Sequence, residues 1–191
     1  MATKSHNLEV KKMILFANSN PTPRDLRMKT QAAGALVLHT ISEVWKYAAA
    51  LERDEGKNVP QSNVSDTATN LDNAATEYFD VAKAFQKVTV FGLTSAEREI
   101  ARVPLDLGGD AEALSTMIAA SEVKMETLYF DVGQRLQDLA AGLRSLPFDR
   151  DVADLAPQVF GMMRKIELLS SLGRVIAVLN RRSPDKSDSD D

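Results

Sequence analysis

The strongest limit on this chain's architecture is a spacing. Over four long stretches, apolar residues recur at intervals of three and four, the repeat that holds side chains on one face of an α-helix. In the first stretch Leu26, Ala33, Val37, Thr40, Val44, Tyr47 and Leu51 follow by steps of three, four or seven, and Leu38, Ile41, Trp45 and Ala48 form a second file beside them. Two adjoining files make a face wide enough for two neighbours, which places this helix inside a bundle. Its start is marked by Thr22 as N-cap, Pro23 at the first helical position and Asp25 in the first turn, and it runs to about Asp54.

Residues 56–64 read as a loop, after which Ser65 or Asp66 caps a second helix whose face is Leu71, Ala74, Ala75, Tyr78, Val81, Ala82, Phe85 and Val88. The run Lys87–Phe91 is rich in β-favouring residues, but a lone strand has no partner, so it is read as the end of that helix. Thr94, Ser95, Ala96 and Glu97 spell a capping box and open a short connector helix, stopped by Pro104 and Gly108-Gly109, with Val103, Leu105 and Leu107 as packing residues. From Asp110 as cap, Leu114, Ile118, Ser121, Met125, Leu128, Val132, Leu136, Leu139, Leu143 and Leu146 continue at helical steps to Pro147 as one third helix, with a stutter at Val132.

The last helix starts near Asp154 with Pro157 in its first turn. Leu155, Val159, Met162, Ile166, Leu169, Gly173 and Ile176 alternate steps of four and three in coiled-coil fashion, and Leu172, Val175 and Leu179 widen the stripe. It ends on Arg181-Arg182, before Pro184. The fold expected is all-α: an antiparallel bundle of about four long helices with a short amino-terminal helical arm and a short connector helix. Three parts follow: an arm over 1–22, in which Asn7 caps a helix to Phe16, the bundle over 23–182, and a disordered acidic tail over 183–191 that holds no apolar residue and is dispensable for folding.

Composition narrows the functional classes. With 44% hydrophobic and 26% charged residues among 191, the chain has the balance of a globular protein. It contains no cysteine, which removes disulfides, thiolate metal sites and a thiol nucleophile. The run Met13–Ala17 is too short for a signal-peptide core, and no stretch has the length of a membrane span, so the expected location is cytoplasmic.

Side chains able to do chemistry are present without the company they need. His6 lies in the arm, and His39 is followed by Glu43 with no Glu-x-x-His pair to complete a metal centre. Glu122 with Glu126, and Asp72 with Glu77, read as solvated helix faces. Gly108-Gly109-Asp110 precedes a helix, but the aspartate already fills the anion position. No catalytic, cofactor-binding or metal-binding residue is assigned, and no enzymatic activity or cofactor is expected.

Charge is uneven along the chain. Residues 1–30 and 159–182 are basic, whereas the middle is acidic. Such patches suit an anionic partner or the acidic middle of a neighbouring subunit. Nucleic acid is not expected, since the pI is about 5.3 and the basic segments carry few aromatics. A membrane-surface role for 155–182 is less favoured than protein contact, because the seam is strictly periodic. The expected function is therefore non-enzymatic association, as a scaffold, adaptor or regulatory subunit that self-associates or meets another helical protein. Its contact residues would be Leu155, Val159, Met162, Ile166, Leu169, Ile176, Arg174, Arg181 and Arg182. The alternative is a bundle that binds a small hydrophobic ligand or coats a lipid surface, lined by Met117, Met125, Met162 and Met163.

Overall fold

The computed structural model describes residues 23–52, 61–103, 108–146 and 152–181. The expected arm, the acidic tail, Thr22, Leu105, Leu107 and Arg182 lie outside the described residues. Four long helices dominate: α1 (Pro23–Glu52), α2 (Gln61–Ala84), α5 (Met125–Arg144) and α6 (Val152–Arg181). Between α2 and α5 the chain makes an excursion through a short strand β1 (Thr89–Phe91), helices α3 (Ser95–Ile100) and α4 (Gly109–Ala119), and a second strand β2 (Glu122–Lys124). The fold is all-α apart from this two-stranded clasp.

The long helices form a ring in which α2 packs on α5, α5 on α6, α6 on α1 and α1 on α2, with the α2–α5 pairing the most extensive. Directions follow from side-chain partners. Between α1 and α2, Lys29 pairs with Glu77, and Thr40 lies 3.2 Å from Thr67. Between α2 and α5, Asp72 meets Arg144 at 2.5 Å while Phe85 meets Tyr129. Between α1 and α6, Thr30 lies beside Gly173 and Trp45 beside Phe160. In each pair one number rises as the other falls, so neighbours run antiparallel around the ring.

The inward files are those the periodicity marks. Leu26, Val37, Ile41 and Val44 of α1 are buried, as are Leu71, Ala75, Tyr78 and Val81 of α2, and Leu128, Val132, Leu136, Leu139 and Leu143 of α5. The second file of α1 divides: Ile41 is inside, but Leu38 is 51% and Trp45 37% exposed. That helix therefore has one flank at the surface.

Four local expectations are corrected. First, α2 begins at Gln61, ahead of Ser65. Second, Thr89–Phe91 is a strand, antiparallel to Glu122–Lys124 with Val90 opposite Val123. Backbone bonds extend the clasp at both ends, Gly92 N donating to Ser121 O (2.7 Å) and Met125 N to Val88 O (3.0 Å). A Cβ at Gly92 would collide with the Ala120 carbonyl, so glycine is required by the close approach of the two strands. The pairing breaks the third helix into α4 and α5, and it puts Glu122 on a strand and Glu126 on a helix instead of one turn apart. Third, α4 is entered through Gly108, whose φ of 84° suits a residue without Cβ, with no side-chain cap; Asp110 sits in the first turn and pairs with Arg135 at 3.6 Å. Fourth, α6 begins at Val152, which leaves Pro157 inside the helix. The capping box is present as read: Glu97 N donates to Thr94 Oγ1 (3.3 Å) and Thr94 N to the Glu97 carboxylate (2.7 Å).

Candidate functional site

The apolar seam of α6 is committed to the core of its own chain. Leu155, Val159, Met162, Ile166, Leu169 and Ile176 are each 6% exposed or less, so the six residues expected to meet a partner are instead covered by neighbouring helices. The sequence shows a seven-residue repeat but does not show that α1 and α5 occupy it. Of the basic residues named with them, Arg174 and Arg181 remain at the surface of α6.

Beside that seam lies a groove between α1 and α6. It is lined by small residues of the two facing helices: the adjacent Gly34 and Ala35 of α1, and Ser170, Gly173 and Ala177, successive turns of α6. Small side chains leave space between helices that larger ones would fill, and here the cavity has a volume of about 600 Å³. Nothing stands within 4 Å of a Cβ built on Gly34, so the hollow continues to the helix backbone. Leu38, Ile166 and Leu169 make one end apolar, and Arg27, Arg174 and Arg181 line the other.

The arginines come from the two basic segments at opposite ends of the sequence, joined because α1 and α6 run antiparallel. Arg174 is held in place by donating from Nη2 to the Arg102 carbonyl (3.1 Å) and to Ser171 Oγ (2.8 Å). Both acceptors are neutral, and on its other side Arg174 lines a neighbouring hollow with Glu99, Ile100 and Arg102. Arg27 Nε is buried and has no acceptor among the described residues. No carboxylate lines the cavity among the described residues.

Past the apolar end, Trp45 and Phe160 meet edge to face with ring centroids 6.1 Å apart. Phe160 is 57% exposed and Met163, one turn on, 38%. A second aromatic pair, Phe79 with Phe130 at 5.1 Å, lies between α2 and α5 and leaves Phe130 at the surface.

The other sequence candidates occupy separate places. His39 is exposed on α1. Glu43 is drawn below the usual carboxylate range by its hydrogen bond from Lys46 (2.6 Å), with smaller help from the Lys46 and His39 charges. Asp72 and Glu77 are spent in the helix-to-helix ion pairs with Arg144 and Lys29. Among the described residues, no three His, Cys, Asp or Glu side chains gather as a metal would need. Met125 and Met162 are buried, Met117 is half-buried, and none of the four methionines named for a ligand lines the groove. No helix among the described residues is long and apolar enough to cross a membrane.

Two buried tyrosines sit on the inner side of α2 and α5. The Tyr78 hydroxyl lies against both the Leu26 carbonyl and the Thr30 hydroxyl, and Thr30 Oγ1 lies 2.9 Å from the same carbonyl; the two hydroxyl protons serve two of these three contacts. Burial first, and the nearby Tyr129 second, push the Tyr78 pKa upward. Burial alone pushes Tyr129 up to about 12, and its hydroxyl has no partner among the described residues. Neither ring opens onto the groove, so they are core residues with polar ends. Comparison with known proteins returned no matching family model, no matching curated protein and no matching solved structure.

Proposed function

We propose that this chain is a non-enzymatic helical-bundle module that acts by association, and that its first partner is a second copy of itself. The observation that carries this is the exposed aromatic pair Trp45 and Phe160, with exposed Met163 one turn on from Phe160 along α6. Large aromatic side chains gain most when a partner removes them from water, and they dominate the energetics of interfaces. An apolar cluster left at the surface of a well-filled bundle is unusual unless something covers it. A two-fold pairing would set each copy's aromatic pair against the other's, since such an interface is self-complementary.

The contact surface moves, relative to the sequence expectation, from the buried seam of α6 to the outer edge it shares with α1. Sedimentation equilibrium at tens of micromolar is the test. A dimer is expected, and Trp45→Ala with Phe160→Ala is expected to return it to monomer with the helical circular dichroism unchanged. A wild-type monomer at that concentration would overturn the proposal.

A further inference from the structure

We infer that the groove between α1 and α6 binds one amphipathic anion, an acyl chain ending in a carboxylate, with the carboxylate among Arg27, Arg174 and Arg181 and the chain running toward Leu38. Three independent observations converge on this ligand. The first is size: about 600 Å³ falls within the range of roughly 300 to 1,000 Å³ typical of small-molecule sites.

The second is charge. Arg27, Arg174 and Arg181 line one end of the cavity, the last two being two turns apart on α6, and no carboxylate lines it among the described residues. Bringing like charges together raises their energy, and an anion between them lowers it. A carboxylate is matched to the planar donor fork of arginine and accepts from two such groups at once. Arg174 is already oriented by neutral acceptors, and the buried Arg27 Nε is a donor without an acceptor among the described residues, so polar groups at this end await an anion without needing to leave other ion pairs.

The third is shape. From Arg27 to Leu38 the groove follows α1 for eleven residues, about 16 Å at 1.5 Å per residue, with Thr30 and Gln31 next to the arginines and Gly34, Ala35 and Leu38 beyond them. No aromatic ring lines it to stack a base or a sugar. An inorganic anion would satisfy the arginines but leave the apolar part at Gly34, Ala35 and Leu38 in water, whereas a medium-length alkyl chain reaches and covers it.

Dodecanoate, kept below its micellar concentration, is the probe, and calorimetric titration of the full chain is the measurement. One-to-one binding is expected. Replacing Arg27 and Arg181 together by Gln should weaken it by about tenfold or more, since a hydrogen bond to a charged group contributes roughly 1.5 to 3 kcal/mol. Dodecanol, with the same chain and no charge, should bind correspondingly less well. Gly34→Leu fills the groove where no atom stands in the way, and should abolish binding while leaving the thermal midpoint at or above that of the parent. Absence of binding, equal affinity for dodecanol, or undiminished affinity in Gly34→Leu would overturn the inference. So would protein that ignores monomeric dodecanoate yet floats with vesicles of anionic phospholipid, because that places the anion on a membrane surface. The inference does not depend on self-association, which sedimentation reads separately.

Discussion

Tyr129 and Tyr78 show how differently two buried hydroxyls can be treated by one core. Both are fully enclosed, but Tyr78 binds the Leu26 carbonyl and Thr30, while Tyr129 has no hydroxyl partner among the described residues. An unsatisfied buried polar group costs about 1 to 3 kcal/mol. Tyr129→Phe should therefore raise stability by about 1 kcal/mol in urea titration, and Tyr78→Phe should lower it because a made buried hydrogen bond is lost. The pH dependence carries the same signature. An unfolded tyrosine ionises near 10, whereas Tyr129 in the fold holds its proton to about 12, so between these values the unfolded chain binds fewer protons. Stability contributed by the neutral ring is complete below pH 10 and is lost as pH rises toward 12. Tyr78 is shifted in the same direction. Urea midpoints measured from pH 9 to 12 should fall less steeply in Tyr129→Phe than in the parent.

Glycines set the distance between elements, and two of them should respond in opposite ways. Gly133 of α5 lies against α2: a Cβ there would stand 2.7 Å from the Phe79 ring and 3.1 Å from the Ala75 carbonyl. Gly133→Ala should destabilise by about 1 to 2 kcal/mol, overpacking outweighing the better helix propensity of alanine. Gly34→Ala meets no atom and should stabilise by about 0.5 to 1 kcal/mol. Urea midpoints of both variants decide the matter. The spacing of apolar residues identifies the long helices and nearly all their inward files, because a 3.6-residue repeat is a local property. It misses the clasp, because Val123 opposes Val90 across about thirty residues and the steps through Ile118, Ser121 and Met125 stay helical in register while the backbone does not. The groove is hidden for a related reason: its mark is small residues, Gly34, Ser170, Gly173 and Ala177, and their significance depends on which helix faces them. The arginines beside them stand out only as two basic segments that the fold joins.

On the scale of the molecule, the four long helices are not packed equally. The α2–α5 pairing is the most extensive, with Gly133 permitting tight approach, whereas α1 is the least packed of the four and borders a cavity beside α6. Local opening is easiest where fewest apolar contacts are lost. Amide exchange should accordingly be faster for Gln31–Leu38 of α1 than for Val132–Leu139 of α5; equal protection would show that the bundle opens only as a unit. The clasp gives the remaining part of the chain a different character. Because β1 and β2 lie side by side, Gly92 and Ser121 are brought together, and the described helices between them, α3 and α4, pack on α6. Closing a loop of about thirty residues instead of about four costs only about 2 kcal/mol of chain entropy, and buried Leu93, Val103, Leu114 and Ile118 offset it. The excursion is thus anchored twice, at the clasp and by α3 and α4 against α6, so that it shares the core of the four long helices while the clasp holds their register.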